Sequence, residues 1–323
     1  MSNAQHARLR LVCRTSELPD EVKSDLASAF DVTYFPPDLP VAQLPQAEAL
    51  LVTVDSELRA SDIHGLPTSI GAVATYSVGL DHIDLAAATD RGLVVLNTAG
   101  VLADSVADAA FLHILAAARR ATESLDLIRS GRWTGWTACQ LNGVELAGKT
   151  LGIFGMGQIG QRIAHRGRAF GLSVIYTDRA PAPSAGDARY MPDVEELFAA
   201  SDVLVLAAPS TPETRGVANE ARLALARPSL LLVNIGRGDL VVDDALVAAL
   251  ATGRIRAAAL DVFNGEPAFD RRYLDLPNAF LLPHIGSSTI EARRRMGRVL
   301  IEGLMAWRAG RSAPNQVELA PAL

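Results

Sequence analysis

The sequence predicts an α/β protein that consists of two doubly wound parallel-sheet domains. Short apolar runs alternate with amphipathic helical patterns along the chain, and this alternation is typical of strands joined by crossover helices. The length of 323 residues exceeds that of most single compact domains and favours two. Only 5% of the residues are aromatic, so Ala, Leu and Val supply most of the apolar surface, as expected for helices packed on parallel strands.

The charge balance argues against a nucleic-acid or membrane partner. The net charge is −6 and the isoelectric point lies near 5.6, whereas nucleic-acid-binding domains usually carry a basic surface. The basic run Arg293–Arg295 lies within a helical pattern, and we interpret it as a solvated helix face. No apolar run approaches the roughly 18 residues that span a bilayer. We therefore expect neither nucleic acid nor a membrane as partner.

The cysteines and the N-terminal residues favour the cytoplasm. Cys13 and Cys139 are too few and too far apart for a disulfide framework or a zinc site, and we expect no metal. We interpret both as small, buried or partly buried side chains of a reduced compartment. Met1–Arg10 are polar and contain no apolar core of a signal peptide. The predicted location is the cytoplasm.

Four strands are predicted in the first hundred residues, each followed by turn or helix material. They are Leu9–Cys13, Ala49–Val54, Ala72–Tyr76 and Gly92–Asn97. The parallel sheet that they form is expected to be flavodoxin-like. A long helical pattern follows from Asp104, which is a candidate N-cap, to Ser130, and the next segment, Arg132–Trp136, is interpreted as a loop.

Six more strands are predicted after Lys149, and helices such as Asp193–Ala200 and Asp243–Thr252 fill the gaps. The strands are Thr150–Phe154, Ser173–Thr177, Val203–Ala207, Leu230–Asn234, Ala257–Asp261 and Ala279–Leu282. Six strands with helices between them match a complete dinucleotide-binding unit. The last helical pattern, Thr289–Ala309, comes after this unit is complete, and we expect it to return to the first domain.

A glycine-rich turn joins the first strand of the second domain to its first helix. Gly155, Gly157 and Gly160 form a G-x-G-x-x-G pattern directly after Leu151–Phe154. The first glycine allows a tight turn, the second lets the backbone approach a pyrophosphate, and the third allows close helix packing. The helix N-terminus then offers N–H groups to the phosphates. In this context the pattern predicts a dinucleotide-binding loop.

The strands, the phosphate loop and the last helix together predict the domain organisation. Residues 103–287 are expected to form an NAD(P)-binding Rossmann domain. Residues 1–102 and 288–323 are expected to form a discontinuous substrate domain, into which the Rossmann domain is inserted.

The acidic residue after the second strand of the Rossmann domain bears on the choice of cofactor. Asp178 stands where an acidic residue is expected to bind the hydroxyls of the adenosine ribose. A carboxylate there favours NAD, because it repels the 2′-phosphate of NADP. Arg179 follows directly and offers a positive charge for that phosphate. NAD is therefore the favoured cofactor and NADP the second choice.

Three polar side chains follow predicted strands of the Rossmann domain. Arg237, Glu266 and His284 lie in short segments that begin at strand ends, and these ends meet at the ligand-binding edge of a parallel sheet. A histidine transfers a proton near neutral pH, and a glutamate beside it favours its charged form and defines its tautomer. An arginine binds a carboxylate with paired N–H donors. We predict that this catalytic set supports hydride transfer between NAD(P) and a small 2-oxo acid.

Each of these residues also has a plain structural interpretation. A lone histidine is more often a satisfied core or loop residue, and Arg237 or Glu266 alone is compatible with a surface ion pair. Among the other histidines only His82 is a rival, and it resembles a turn residue beside a backbone-binding loop. The remaining ones, none of which follows a strand after the phosphate loop, are His6, His64, His113 and His165.

Five segments of the chain match motifs of one enzyme family in order and spacing. They are Tyr76–Asp84, Gly155–Gly160, Asn234–Gly238, Leu260–Pro267 and Leu282–Thr289. From about Ala72 onward the chain resembles the D-isomer-specific 2-hydroxyacid dehydrogenases. Within that family, Arg132–Trp136 and His284–Thr289 are most similar to the glyoxylate/hydroxypyruvate reductase branch. The acid at the ribose position, Asp178, departs from that branch.

The resemblance implies roles for further residues. Arg237, Glu266 and His284 take the catalytic roles, and the backbone amides of Val78 and Gly79 bind the substrate carboxylate together with Arg237. The predicted cofactor contacts are Gly155, Gly157, Gln158, Ile159 and Gly160 at the pyrophosphate, Asp178 and Arg179 at the ribose, Ala208, Pro209 and Thr214 along the adenosine, and Ile235, Gly236, Asp261 and Gly286 near the nicotinamide. The resemblance also implies a homodimer built around Asp104–Asn142.

The predicted reaction is the NAD(P)H-dependent reduction of glyoxylate or hydroxypyruvate. An alternative with the same chemistry is oxidation of another D-2-hydroxy acid, such as D-glycerate, 3-phosphoglycerate or D-lactate. A phosphorylated substrate would require extra Lys or Arg, and Ser77–Asp81 contains neither. A non-enzyme alternative is a nicotinamide-sensing regulatory protein on the same fold. Such a binder has no need of histidine and glutamate in register, and both are present here.

Overall fold

The computed structural model describes residues 8–15 and 17–319. They divide into two compact units. One comprises the described residues up to Leu102 together with those from Ser288 onward, and the other comprises Ala103–Ser287. Each unit is built on one parallel sheet, so the predicted class, two parallel-sheet α/β domains, is confirmed. No helix within these residues is long and apolar enough to cross a bilayer.

Within the described residues the chain forms twelve β-strands and ten α-helices. The strands are β1 (Arg10–Arg14), β2 (Asp31–Phe35), β3 (Ala49–Val52), β4 (Ala72–Thr75), β5 (Val94–Leu96), β6 (Thr150–Phe154), β7 (Ser173–Thr177), β8 (Arg189–Tyr190), β9 (Val203–Leu206), β10 (Leu231–Asn234), β11 (Ala257–Leu260) and β12 (Ala279–Leu281). The helices are α1 (Asp20–Ala29), α2 (Ala60–Gly65), α3 (Leu85–Asp90), α4 (Ala103–Ala118), α5 (Ala121–Arg129), α6 (Gln158–Ala169), α7 (Val194–Ala200), α8 (Glu220–Leu225), α9 (Asp243–Ala251) and α10 (Ile290–Arg308). Residues 1–7, which include His6, and residues 16 and 320–323 of the predicted substrate domain lie outside the described part of the chain.

The sheet of the first unit contains five parallel strands in the order β2-β1-β3-β4-β5. This is the flavodoxin-like order of a doubly wound sheet. Every residue of β3 and β4 is buried, which explains why apolar runs in the sequence predict them. The edge strand β2 is absent from the prediction, because it pairs only with β1 and its side chains are exposed or half-buried. It therefore lacks the apolar run that marks the inner strands.

The last helix of the chain, α10, packs on the first unit. It lies against α1 and against strands β4 and β5. A Cβ on Gly297 would lie 2.9 Å from a methyl group of Val22, so the glycine permits the close approach of α10 and α1. The hydroxyl of Thr289 caps the helix by accepting a hydrogen bond of 3.2 Å from the N–H of Ala292. The predicted helix Thr289–Ala309 is confirmed, with these two residues as its caps.

The sheet of the second unit contains seven parallel strands in the order β12-β11-β10-β9-β6-β7-β8. Counted from β6, the strands β8-β7-β6-β9-β10-β11 have the dinucleotide-binding order 3-2-1-4-5-6, and β12 extends the sheet by one strand. The six predicted strands are all present. The seventh, β8, consists of Arg189 and Tyr190 alone and is too short to produce a sequence pattern.

The predicted helix Asp104–Ser130 is wrong in one respect, because the chain forms two helices there. Helix α4 ends at Ala118 and α5 begins at Ala121. Between them Arg120 has a left-handed backbone conformation with a φ of 54°, which no helix interior adopts. Its guanidinium forms an ion pair of 2.5 Å with Glu123, which helps to hold the turn. The apolar pattern runs through the break and therefore does not reveal it.

Candidate active site

The glycine-rich turn after β6 uses its three glycines in three different ways. Gly155 has a φ of 101°, and a Cβ there would lie 2.7 Å from the backbone nitrogen of Ala208. A Cβ on Gly160 would lie 2.2 Å from the carbonyl oxygen of Gly155, so only glycine lets α6 start this close to the strand. Gly157 differs, since no atom of the described residues, apart from its chain neighbours and its own helix, lies within 4 Å of its Cβ position. The turn therefore leaves open space at the middle glycine.

This open space lies at the N-terminus of α6, where Gly157 is the residue before the first helical turn. A helix start presents backbone N–H groups and the positive end of the helix dipole. A pyrophosphate fits such a position because both features favour an anion. Gln158 is exposed and Ile159 is half-buried, so this end of the helix is not covered by the rest of the described chain. The loop thus suits a dinucleotide cofactor.

The carboxylate of Asp178 lies directly beside the phosphate loop. The residue follows β7, and its Oδ2 accepts a hydrogen bond of 2.7 Å from the backbone N–H of Met156. Its Oδ1 accepts one of 2.7 Å from the N–H of Arg179, whose side chain is exposed. The position predicted for the ribose therefore has a carboxylate next to the phosphate loop and a cation at the following residue.

The residues predicted for the adenosine side form a closed loop after β9. The hydroxyl of Thr214 donates to the carbonyl oxygen of Pro209 at 2.7 Å and accepts from the N–H of Thr211 at 2.8 Å. Ala208 is buried, and its backbone nitrogen is the atom nearest to the Cβ position of Gly155. The structure therefore brings this loop against the phosphate loop.

Two loops that follow β10 and β11 are packed backbone to backbone. Asn234, at the end of β10, is fully buried. Its side chain donates to the carbonyl oxygen of Arg237 at 2.8 Å and accepts from the N–H of Gly236 at 3.1 Å. A Cβ on Gly238 would lie 1.9 Å from the carbonyl carbon of Phe263, which leaves no room for any side chain there. The segment that carries Arg237 is therefore held against the loop after β11.

His284 and Glu266 form a hydrogen-bonded pair. Nδ1 of His284 lies 2.8 Å from Oε2 of Glu266, and Oε1 accepts from the N–H of Phe263 at 2.7 Å. Burial alone would raise the pKa of Glu266, but His284, the Phe263 N–H and the positive charge of Arg237 hold that pKa below its usual value. The glutamate is therefore ionised near neutral pH. Nε2 is the imidazole nitrogen that remains for a substrate.

The backbone of His284 has a left-handed conformation, with a φ of 54°, that is uncommon outside glycine. The carbonyl oxygen of Asp261 accepts from its N–H at 2.8 Å. The Asp261 carboxylate accepts from the N–H groups of Ile285 at 2.9 Å and Gly286 at 2.8 Å. Burial alone would raise the pKa of Asp261, but His113 and these two N–H groups lower it. Asp261 thus fixes the segment that carries His284.

The other two residues predicted near the nicotinamide lie in the loop after β10. Ile235 is buried, and its N–H donates to the carbonyl oxygen of Leu206 at 3.2 Å. A Cβ on Gly236 would lie 2.8 Å from the carbonyl oxygen of Ala208. The backbone of this loop is therefore packed against the end of β9, in the same unit as the phosphate loop.

The predicted carboxylate-binding residues, Val78 and Gly79, lie in the first unit, in the turn after β4. The hydroxyl of Ser77 donates to the carbonyl oxygen of Gly79 at 2.7 Å, and the side-chain amide of Asn97 donates to that of Val78 at 3.2 Å. Across the described ranges, the N–H groups of Val78 and Gly79 donate to no protein acceptor. Successive N–H groups of this kind suit an anion.

Two further histidines contact polar groups. In the first unit, Nε2 of His82 lies 2.8 Å from Oγ1 of Thr75, in keeping with its interpretation as a turn residue. His113, to which the sequence assigns no role, is fully buried in α4, and its Nε2 lies 3.5 Å from Oδ1 of Asp261. The one signal for it is that His113 is the only polar residue in the stretch Phe111–Ala118.

Hydride transfer to a carbonyl group needs a bound nicotinamide and a proton donor, and the second unit provides for both along one edge of its sheet. The phosphate loop and Asp178 suit the dinucleotide, and the His284–Glu266 pair suits the proton transfer. The chain is accordingly an NAD(P)-dependent oxidoreductase. Residues 111–286 match the family model described as "D-isomer specific 2-hydroxyacid dehydrogenase, NAD binding domain". The chain belongs to this family, as its motifs predict.

Known proteins are similar to the chain over most of its length. The glycerate dehydrogenase of Hyphomicrobium methylovorum is 42% identical over 253 residues, which are 77% of this chain and 79% of that protein. The glyoxylate reductase of Thermococcus litoralis is 40% identical over 279 residues, 84% of each chain. The solved structure of the NADPH-dependent glyoxylate/hydroxypyruvate reductase of Sinorhizobium meliloti, in complex with NADP and malonate, has a TM-score of 0.88 at 32% identity and covers 98% of both chains. These similarities confirm the predicted fold class and family.

Proposed function

We propose that this chain is a glyoxylate/hydroxypyruvate reductase, which converts a small 2-oxo acid to the D-2-hydroxy acid with NAD(P)H. The observation that carries the proposal is the 2.8 Å contact between Nδ1 of His284 and Oε2 of Glu266. It defines a proton donor in the same unit as the phosphate loop. The substrate class is supported by the 40% identity with the Thermococcus litoralis glyoxylate reductase.

The proton of the product hydroxyl comes from Nε2 of His284. Because Glu266 accepts a hydrogen bond at Nδ1, that nitrogen keeps its proton and Nε2 exchanges one. The bound cofactor supplies the hydride that adds to the carbonyl carbon. His284 gives its Nε2 proton to the carbonyl oxygen and is left as a neutral imidazole. In the reverse reaction the neutral imidazole takes the proton from the hydroxyl group, and Glu266 stabilises the resulting charge.

The substrate carboxylate is bound by Arg237 and by the backbone N–H groups of Val78 and Gly79 in this proposal. The loop of Arg237 is rigid, because Asn234 fixes its carbonyl group at 2.8 Å and Gly238 packs against the next loop. A guanidinium offers two parallel N–H groups to a carboxylate. The positive charge also polarises the ketone and favours the addition of hydride.

NAD is the proposed cofactor, and NADP is the alternative. Asp178 places a negative charge where the 2′-phosphate of NADP would lie, which favours NAD. Arg179 and the NADPH-dependent relative from Sinorhizobium meliloti support the alternative. The proposed contacts of the cofactor are Gly155, Gly157, Gln158, Ile159, Gly160, Asp178, Arg179, Ala208, Pro209, Thr214, Ile235, Gly236, Asp261 and Gly286.

Oxidation of D-glycerate is the second candidate reaction. It is favoured by the 42% identity with the glycerate dehydrogenase of Hyphomicrobium methylovorum. The site allows it without any change, because neutral His284 is a base for the hydroxyl proton. The ratio of the two directions then follows from the substrate and cofactor concentrations.

We infer that the chain acts as a homodimer formed through Asp104–Asn142. Within the described residues this segment exposes several large apolar side chains. They are Leu112, Leu115, Leu125, Ile128, Trp133 and Trp136, the last with 82% of its surface exposed. Contact with a second copy would remove this apolar surface from water. Light scattering should give twice the chain mass of 34.2 kDa, and a single-chain mass would contradict the inference.

We infer that the enzyme works in the cytoplasm. Both cysteines are free thiols, which fits a reducing compartment. Cys13 is buried as predicted, whereas Cys139 is exposed, contrary to the expectation from the sequence. An exposed thiol persists more readily where glutathione and thioredoxin keep thiols reduced.

The proposed function is tested by steady-state rates for glyoxylate, hydroxypyruvate, pyruvate and oxaloacetate, each with NADH and with NADPH. We expect kcat/KM to be highest for hydroxypyruvate or glyoxylate, with NADH above NADPH. A higher value for pyruvate or oxaloacetate would contradict the substrate class. A protein that binds NADH but turns over none of these acids would contradict the proposal altogether.

A further inference from the structure

A fully buried histidine lies behind the segment that carries His284. The side chain of His113 in α4 has no exposed surface. Its ring meets Phe280 of β12 edge-on, with 5.6 Å between the ring centres, and its Nε2 lies 3.5 Å from Oδ1 of Asp261. Within the described residues neither ring nitrogen has a hydrogen bond of normal geometry. Burial of an imidazole in this state costs free energy, so packing alone favours leucine here.

Asp261 connects this histidine to the catalytic one. Its carboxylate accepts hydrogen bonds from the N–H groups of Ile285 and Gly286 at 2.9 and 2.8 Å. Its backbone carbonyl oxygen accepts one from the N–H group of His284 at 2.8 Å. These three bonds hold the segment in which His284 has its left-handed conformation. Only 2% of Asp261 is exposed, so water contributes little to the stability of its charge. His113 is the ionisable side chain that faces it.

We propose that His113 is a positioning residue for the catalytic histidine. It directs Nε2 at the buried carboxylate of Asp261 and keeps that carboxylate ionised, so that both oxygens accept from the backbone after His284. His113 acts through Asp261 and not on the substrate. The inference rests on the proposed function, in which His284 transfers the proton.

The charged side chains that form ion pairs around α4 do so with groups other than His113 and Asp261. Strands β10, β11 and β12 pack on α4, and none of them contains an ionisable side chain. The ionisable side chains around α5 and α6 that pair near α4 do so in Arg120–Glu123, Arg162–Asp104, Arg166–Asp104 and Arg166–Asp108. Burial would raise the pKa of Asp261, but His113 and the N–H groups of Ile285 and Gly286 lower it. The partner of His113 is therefore the carboxylate on which the catalytic segment depends.

Loss of His113 has a defined consequence. Burial raises the pKa of Asp261, and the N–H group of His113 opposes this effect. Without that N–H group the pKa of Asp261 rises. The protonated oxygen of a carboxyl group is a donor and a weaker acceptor than a carboxylate oxygen, so one backbone N–H after His284 is held less strongly. The segment then loosens at a higher pH than in the wild type. The acid side of the pH profile should therefore move to higher pH.

The experiment compares His113→Leu, which removes the N–H group, with His113→Gln, whose amide restores a donor near the position of Nε2. Phe111→Leu is the packing control, because Phe111 lies in the same helix and stacks on Phe170, the residue after α6, at 4.8 Å between ring centres. Two properties of the full chain are measured. One is amide hydrogen exchange, by mass spectrometry, of the peptide that contains residues 284–286. The other is the pH profile of kcat for hydroxypyruvate with NADH.

We expect His113→Leu to accelerate exchange of residues 284–286 by about tenfold. We expect kcat to fall by about tenfold, with both KM values within about twofold of the wild type, because a displaced catalytic group affects turnover more than binding. The acid side of the profile should move to higher pH. His113→Gln should recover most of each effect, and Phe111→Leu should lower Tm without any of them.

Unchanged exchange together with an unchanged pH profile in His113→Leu would overturn the proposal. Equal effects of Phe111→Leu would also overturn it, since His113 would then be a packing residue. If His113→Leu does not fold, His113→Asn takes its place, because its amide is too short to reach Asp261, and wild-type exchange in that variant would overturn the proposal. Amide exchange does not depend on turnover. A wild-type protein without reductase activity would therefore contradict the proposed function, and the exchange of residues 284–286 would still show whether His113 positions this segment.

Discussion

Replacement of Glu266 by glutamine removes one charge from the proposed catalytic pair, Glu266 and His284, and changes little else. Oε2 of Glu266 lies 2.8 Å from Nδ1 of His284, and Oε1 accepts from the N–H of Phe263 at 2.7 Å. Glutamine has one acceptor oxygen and therefore serves only one of these two groups. If that oxygen serves Phe263, an NH2 group faces the N–H of the imidazole. The variant keeps the shape of the side chain and loses the charge-assisted hydrogen bond.

The magnitude of the effect follows from the geometry of the pair. A hydrogen bond to a charged group contributes about 1.5–3 kcal/mol. The side chains of Glu266 and His284 are 33% and 42% exposed, so water screens the pair and the lower half of that range applies. Since about 1.4 kcal/mol corresponds to a factor of ten, kcat for reduction at neutral pH should fall by about 10- to 50-fold.

The direction of the pH effect provides a sharper check. Burial would raise the pKa of Glu266, but His284, the Phe263 N–H and Arg237 hold it below its usual value, so the wild-type carboxylate stays charged through the assay range. Reduction needs the imidazolium, which this charge stabilises. In Glu266→Gln the profile for reduction should therefore move to lower pH, and oxidation, which needs neutral His284, should lose less.

The assay is the initial rate in both directions from about pH 5 to 9, the range in which histidine changes its charge. Glu266→Asp is the control, because it keeps the negative charge and should keep the wild-type profile even where its shorter side chain lowers kcat. A Glu266→Gln profile that coincides with the wild type, at nearly the wild-type kcat, would show that the charge of Glu266 does not assist His284.

Four further substitutions test other parts of the site. Gly157→Ala puts a methyl group where no described atom lies within 4 Å apart from its chain neighbours and its own helix, so fluorescence titration should show NADH binding weakened by about tenfold or more at an unchanged Tm. Gly160→Ala would put a methyl group 2.2 Å from a carbonyl oxygen and should lower Tm. Equal Tm values for Gly157→Ala and Gly160→Ala would contradict these separate roles of the two glycines. Asp178→Asn should shift the ratio of kcat/KM values for NADH and NADPH toward NADPH by about tenfold or more. An unchanged ratio would show that Asp178 does not contact the ribose. Arg237→Lys should raise KM for hydroxypyruvate by about tenfold and leave KM for NADH alone, because lysine lacks the paired N–H donors; a wild-type KM would exclude the carboxylate role.

The fold could be predicted from the sequence wherever burial leaves an apolar run. Every residue of β9 and β10 is buried, and both strands are predicted within one or two residues of their ends. The edge strand β2 is mostly exposed and β8 has two residues, so neither produces a run. The break between α4 and α5 depends on the left-handed backbone of Arg120 and on its ion pair with Glu123, and arginine carries no sequence signal for that conformation.

The proximity of Glu266 and His284 could be predicted from the sequence, whereas the contacts that hold their segments could not. Glu266 and His284 follow strands of a parallel sheet, and the ends of such strands meet at one edge, so their proximity follows from chain order. His113 lies in the middle of an apolar helix, and its contact with Asp261 depends on how α4 is turned against β11. No local pattern encodes that rotation. The residues that hold the catalytic segment therefore emerge only from the structure.

The most direct test of the central claim, proton transfer by His284, is the rate of hydroxypyruvate reduction by His284→Ala, with NADH binding measured on the same sample. The exposed His165 of α6 provides the matched control His165→Ala, which should keep wild-type rates. We expect His284→Ala to bind NADH with a Kd within about twofold of the wild type and to lose about 10²- to 10⁴-fold in kcat, the usual contribution of a general acid. Turnover near the wild-type rate in a variant that binds NADH normally would contradict this role of His284.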